Sequence, residues 1–378
     1  LYLDAKVNAM THKPALVLLF LLLPGFRPAT AFPSGGEADS SHSRENPIIE
    51  PFPILSYDTD AGFGYGAKVV FRNQLGLRES FDLTLFNSTK GERWYRLVIA
   101  LPDAEVRQGT TYPIALDVAF DYDKWISNSF FGVGNEASFD QREFFTKEPL
   151  DLSFTVSRGF SPVMVAGAGV RFRAVRNFGF PDTSRLATLP PALNAGRVSY
   201  TSLFVSARYD TRNSTINPTD GLVLQGDAEV APGFFPGNIS FARYGLAVQH
   251  YRPVIWASTT LALRFMLQSL TGENLPVQVL LPVGGNATLR GSTQDRYIDC
   301  VSAVLNAEVR FPVYRRLGGV LGVDAGKVWH TLRALDLSRW AANPTIGLRL
   351  TMETFVVRVD VGIGNETTGF YFNFGQLF

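Results

Sequence analysis

Residues 284–292 read Gly284-Gly285-Asn286-Ala287-Thr288-Leu289-Arg290-Gly291-Ser292, an alternating segment runs from Val301 to Val313, and Gly322-Val323-Asp324-Ala325-Gly326 closes the stretch. In the middle segment one face is Val301, Ala303, Leu305, Ala307, Val309, Phe311 and Val313, and the other carries Ser302, Asn306, Glu308 and Arg310. Successive side chains of a strand point to opposite faces of a sheet, so period-two alternation predicts a strand. The apolar face has no charge, while the other holds a carboxylate and a guanidinium. A soluble sandwich would bury the apolar face and leave the charges in water. A membrane barrel does the opposite, with lipid outside and a polar lumen.

The same inside-out alternation recurs along the chain. Leu261, Leu263, Phe265 and Leu267 alternate with Thr260, Ala262, Arg264 and Gln268, and Phe355, Val357, Val359, Val361 and Ile363 alternate with Val356, Arg358, Asp360 and Gly362. From Ile49 onward the pattern predicts sixteen strands, at 49–58, 62–72, 78–87, 92–102, 111–122, 148–159, 162–176, 197–209, 220–231, 240–252, 256–270, 299–313, 317–329, 342–353, 354–363 and 368–378. Connections alternate too: short turns near residues 158–162 and 252–256, long loops over 123–148, 177–196 and 271–299. Short turns at one end and long loops at the other are the outer-membrane arrangement, which predicts both termini in the periplasm. A sandwich with this many charged inward faces would carry costly buried charge.

Composition agrees. Hydrophobic residues make up 46% of 378, yet no run reaches the roughly 18–20 apolar residues of a spanning helix. A net charge of +1 lacks the basic excess of a nucleic-acid partner. The single cysteine, Cys300, excludes an internal disulfide and a multi-cysteine zinc site, and reads as a small buried or lipid-facing side chain.

Lys13, the apolar run from Ala15 to Leu23 and Ala29-Thr30-Ala31 have the order of a secretory signal with its cleavage site. The expected organisation is a signal over 1–31, with 1–9 upstream of the true start, a flexible periplasmic tail over 32–48 and an outer-membrane barrel over 49–378. Near the other terminus, Phe370, Phe372, Phe374 and Phe378 share one face of a straight strand, which predicts an aromatic edge toward lipid.

Several of these segments carry motifs that resemble the bacterial surface antigen superfamily, the BamA/TamA-type assembly and translocation barrels. Tyr209-Asp210-Thr211-Arg212-Asn213 with Asn217-Pro218-Thr219-Asp220-Gly221 is similar to the family's periplasmic turn, whose marks here are Asp210, Arg212, Pro218 and Gly221. Leu289-Arg290-Gly291 resembles its Arg-Gly loop, Asn306 to Pro312 the strand after that loop, Val323 to Gly326 its Asp-x-Gly motif, and Gly369 to Phe378 its C-terminal insertion signal. Ser292, Gly322 and Gln376 stand where the family has an aromatic, an aromatic and an apolar residue.

The resemblance implies an all-β, 16-stranded antiparallel barrel with a long extracellular loop folded into the lumen. It implies a lumen-loop lock in which Arg290, beside Gly291, makes a bidentate contact with Asp324, beside Gly326, with Glu308 as the alternative acceptor and Arg310 next to it. It implies a seam between first and last strands, weakened in this chain by Pro51 and Pro53, which donate no ladder hydrogen bond. The expected surroundings are outer-membrane lipid and lipopolysaccharide, with the outer-membrane assembly machinery for the barrel's own insertion. The family's periplasmic peptide-binding modules are not expected in this chain, so a separate periplasmic partner or client protein is. Two other functions fit the pattern: a passive channel, and a surface-exposed structural or adhesion barrel.

Catalysis is not expected. His250 has no clear Ser or carboxylate partner, and Gly62-Phe63-Gly64-Tyr65-Gly66 lacks the lysine and helix of a phosphate loop. His330 with Asp324 and Asp336 is a weak metal-ligand set, and a solvated loop histidine is the reading adopted. Neither a cofactor nor a metal is expected.

Overall fold

A computed structural model describes residues 47–378 apart from 191–192, 194–195, 238, 255–257 and 353–354. The signal and nearly all of the tail therefore lie outside the described residues. Sixteen strands close into one antiparallel barrel: β1 (Ile48–Asp58), β2 (Gly62–Arg72), β3 (Ser80–Ser88), β4 (Arg93–Leu101), β5 (Tyr112–Phe130), β6 (Glu143–Ser161), β7 (Met164–Phe178), β8 (Arg197–Asp210), β9 (Gly221–Ala231), β10 (Phe241–Pro253), β11 (Thr260–Thr271), β14 (Val301–Tyr314), β15 (Leu317–Trp329), β16 (Ala341–Thr351), β17 (Val356–Ile363) and β18 (Thr368–Phe374). Between β11 and β14 a separate two-stranded ribbon forms from β12 (Leu281–Val283) and β13 (Tyr297–Asp299), with Leu281 opposite Asp299.

The alternation sorts as the sequence predicts. On β14, Leu305 and Val309 are exposed, whereas Asn306, Glu308 and Arg310 are buried. Leu321 and Val323 on β15 and Ile346 and Leu348 on β16 continue the exposed apolar belt. In a closed barrel the exposed face is the exterior, so the buried charges line the interior.

Two boundaries differ from the sequence reading. Strand β5 continues to Phe130 and β6 begins at Glu143, so the expected loop over 123–148 shrinks to 131–142. The extension is hard to read because the ladder shifts register between Trp125 and Asn128, and a bulge of this kind breaks strict alternation. The last strand ends at Phe374 rather than at Phe378. Gly375 takes φ +79°, a conformation that turns the chain out of the sheet and that glycine adopts without steric cost.

Closure is uneven. β1 and β2 register continuously from Ile48 opposite Arg72 to Asp58 opposite Gly62. β1 and β18 register only at Tyr57 opposite Phe372 and Asp58 opposite Tyr371. At the adjoining turn, Phe370 N donates to Thr59 Oγ1 at 2.9 Å and Thr59 Oγ1 donates to Phe370 O at 3.1 Å.

Candidate functional site: a loop arginine in the barrel-wall charge cluster

The loop between β11 and β14 turns sharply where Gly284, Gly285 and Gly291 take positive φ. That brings Arg290 against the interior face of β14, β15 and β17 with none of its side chain exposed. Its Nε donates to Asp324 Oδ2 at 2.7 Å and its Nη2 to Asp324 Oδ1 at 2.9 Å, and its backbone N reaches Oδ2 at 3.1 Å. This is the fork-to-fork geometry that a planar guanidinium makes with a carboxylate. The remaining nitrogen, Nη1, lies 2.8 Å from Asp360 Oδ2 and 2.9 Å from Glu308 Oε1. Glu308, expected as an alternative acceptor, is thus a simultaneous one, and Asp360 is a third.

Other wall cations complete the cluster. Arg310 Nε donates to Glu308 Oε2 at 2.9 Å, Arg349 Nη1 donates to Asp360 Oδ1 at 2.5 Å, and Arg358 Nη1 stands 3.3 Å from Asp360 Oδ2. Asn306 Nδ2 donates to Asp324 Oδ1 at 2.7 Å while Arg264 Nε donates to Asn306 Oδ1 at 2.9 Å. Five guanidiniums therefore face three carboxylates, and neutral oxygens take some of the surplus donors. Ala287 O and Leu377 O accept from Arg264, Asn286 Oδ1 from Arg358, and Gln376 Oε1 from Arg349.

Small residues let the loop approach this closely. A Cβ on Gly362 would lie 2.4 Å from the carbonyl carbon of Arg290, and one on Gly291 would lie 2.7 Å from that of Gly362. Gly326 leaves room for Val283, whose Cγ1 would sit 2.5 Å from an added Cβ. The loop then spans the weak closure. Gly291 N donates to the Tyr371 hydroxyl of β18 at 3.1 Å, and Gln294 N donates to Asp60 Oδ2, just past β1, at 3.0 Å. Asn343 Nδ2 donates to both Arg290 O and Ser292 Oγ at 2.9 Å, so Ser292 supplies a polar contact where the resembling family has an aromatic.

The C-terminal residues arrange differently from the expectation of one lipid-facing edge. Phe370 is 43% exposed, but Phe374 is buried beside Phe355 and Phe372. Phe378 is only 7% exposed, with its ring 6.3 Å from that of Tyr251 and under the guanidiniums of Arg264 and Arg310. Arg310 Nη2 donates to Phe378 O at 3.1 Å. Gln376, polar where the family is apolar, is tied on the interior by Arg349 and donates to Asn217 Oδ1 at 2.8 Å. Parity assumed a straight strand; the turn at Gly375 and the wall cations draw the last residues inward.

In the turn after β8, Arg212 Nε and Nη2 bind the carboxylate of Asp210 at 3.0 and 2.8 Å. Pro218 is buried. Gly221 takes φ +116°, and a Cβ there would meet Thr211 O at 2.5 Å. Pro51 and Pro53 sit exposed on β1, opposite Val69 and Ala67 of β2. The trio of His330, Asp324 and Asp336 does not come together. Asp324 is held by Arg290, Asp336 pairs with Lys327 at 2.7 Å, and His330 Nδ1 lies 3.4 Å from Asp299 Oδ1. Sequence reasoning missed Gly362, Asn343 and Tyr371 as loop partners. Gly362 carried a faint signal, a glycine in the interior row of Arg358 and Asp360.

A closed sixteen-stranded barrel with an apolar exterior and a loop arginine bound to charges on its inner wall defines a bacterial outer-membrane barrel protein. The Omp85 superfamily domain matches residues 63–378, and the chain belongs to that superfamily. At family level it is an outer-membrane barrel of the assembly and translocation type. Among solved structures it resembles BamA from Haemophilus ducreyi lacking POTRA domains 1–3, at TM-score 0.63 and 15% identity over 86% of this chain and 69% of that one. It also resembles CdiB from Escherichia coli, at TM-score 0.60 and 14% identity over 87% of this chain and 63% of that one. For CdiB from Acinetobacter baumannii the values are TM-score 0.55 and 14% identity, over 86% of this chain and 59% of that one. The chain thus spans about three fifths of the CdiB chains. No curated protein sequence matches significantly.

Proposed function

We propose that the barrel inserts or translocates other proteins at the outer membrane through a lateral opening between β1 and β18, with the β11–β14 loop folded into the lumen as a plug. The observation that carries this reading is the two-position register of β1 with β18 against the full-length ladder of β1 with β2. Pro51 and Pro53 deepen the weakness. A proline set in an unbroken antiparallel ladder occupies a non-hydrogen-bonded pair, so its nitrogen faces the other neighbour. The missing donors then fall on the β18 edge. The Arg290–Asp324 pair acts as the lock of the plug, and Tyr371 and Asp60 couple it to the seam, so releasing the loop and opening the wall are one motion. In this reading the segment from Met10 to Ala31 directs export and the long-loop end faces outward.

The test is a disulfide across the seam. Tyr57→Cys with Phe372→Cys places two thiols at directly opposed positions. Oxidation should abolish complementation of a depletion strain, read as the outer-membrane proteome, and reduction should restore it. Full activity of the oxidised barrel would dismiss the lateral opening.

A further inference from the structure

Cys300 is buried in the short link between β13 and β14, away from the charge cluster. Val301 pairs with Trp329, so one step further along the same ladder Cys300 faces His330 across two adjacent strands. The sulfur of Cys300, a ring nitrogen of His330 and a carboxylate oxygen of Asp299 all lie within 4.8 Å of one another, the single group of this kind among the described residues. We propose that Asp299, Cys300 and His330 form a binding site for a borderline-soft divalent transition metal of the zinc class.

The donor set decides the class of ion. A thiolate and an imidazole favour zinc-like ions, whereas calcium and magnesium take oxygen ligands. Zinc sits about 2.0–2.3 Å from nitrogen, oxygen and sulfur, so tetrahedral neighbours lie ~3.5 Å apart, and only a small closure is needed.

The scaffold is fixed on both sides. Asp299 Oδ1 accepts from Cys300 N at 2.8 Å, which orients the carboxylate, and Cys300 O accepts from Leu270 N at 2.7 Å. The end of β15 is clamped by Asn135, whose Nδ2 donates to Val328 O at 2.6 Å while Val328 N donates to its Oδ1 at 3.0 Å. The His330 side chain is 81% exposed, so it can rotate onto an ion arriving from solvent. On binding, the Cys300 S–H bond gives way to a sulfur–metal bond and the proton leaves to solvent. Three protein ligands leave a fourth position for water. The ion would tie the root of the β11–β14 loop to the end of β15.

The test uses the whole barrel, folded in detergent and stripped with EDTA, with Zn2+ alone in calorimetry and Co2+ as an optical probe. One saturable Zn2+ per chain is expected, with a near-ultraviolet thiolate charge-transfer band in the Co2+ form. His330→Ala should weaken binding by about 100-fold or more, since even partners that only orient a ligand are worth 10–100-fold. Because that side chain is exposed, the variant tests the site without disturbing the fold. Cys300→Ser, checked for folding by heat-modifiable gel migration, should abolish the band. Unsaturable binding, equal affinity in both variants or a Co2+ spectrum without thiolate character would mean adventitious metal only and overturn the proposal.

Discussion

Arg290 and Asp324, thirty-four positions apart in the chain, meet through two side-chain hydrogen bonds of 2.7 and 2.9 Å with neither side chain exposed. The two ends of the pair are unequally supported. Asp324 has Asn306 as its other side-chain donor, whereas Arg290 also serves Asp360 and Glu308. Removing Arg290 strands Asp324, whose other side-chain donor is the neutral Asn306, whereas Glu308 keeps Arg310 and Asp360 keeps Arg349 and Arg358. Removing Asp324 leaves Arg290 two acceptors but sets five guanidiniums against two carboxylates. Each single change to alanine should cost roughly 3–5 kcal/mol, the range for breaking a buried ion pair. Denaturant unfolding with heat-modifiable mobility reads both. The double variant should be less unstable than the sum of the singles; strict additivity would mean that the pair is not an energetic unit.

Arg290→Lys tests geometry at constant charge. An ammonium cannot make two parallel bonds to Asp324 while also reaching Asp360 and Glu308. The variant should unfold closer to Arg290→Ala than to the parent, and parental stability would show that charge alone suffices.

Much of this architecture was legible in the sequence, for a definite reason. Lipid demands an apolar side chain at every second position, so Leu305, Val309, Leu321 and Val323 announce their strands locally. The Arg290–Asp324 contact could be anticipated only from motifs, because no local pattern reports a neighbour so far along the chain. Asp360 and Tyr371, seventy and eighty positions from the loop residues they bind, left no such trace. The ends of β5 and β6 escaped because the bulge near Trp125 breaks alternation. Phe378 was misplaced because parity counts residues as though the strand ran straight past Gly375.

Gly362 is a steric test of the loop's seat. Its backbone is ordinary, so alanine there brings no conformational strain, only a methyl group 2.4 Å from the Arg290 carbonyl carbon. Either the loop shifts or the wall does, at about 1–3 kcal/mol for such overpacking. Gly362→Ala should lower stability and raise conductance in planar bilayers together. Lower stability with unchanged conductance would separate the loop from the permeation path.

Conductance also tests the plug itself. With the charge cluster cross-linked by its own ion pairs and the loop across it, small flickering currents are expected from the parent. Deleting residues 271–299 should give large, steady openings. Large steady openings in the parent would favour a passive channel instead.

The last test concerns the turn at Gly375. Extending the two observed pairs by register would set Pro53 opposite Gln376. Instead, Gly375 at φ +79° sends Gln376 inward to Arg349 and Asn217. No atom would touch a Cβ on Gly375, so replacing it acts through the backbone alone. A β-branched residue disfavours left-handed φ by roughly 1–2 kcal/mol, which corresponds to a population shift of about 5–30-fold. Gly375→Val should therefore move the tail toward the β1 edge. In a Pro53→Cys, Gln376→Cys background, disulfide formation should rise by that factor when Gly375→Val is added. An equal yield with and without Gly375→Val would show that the glycine does not hold the tail inside, and that the short seam has another cause.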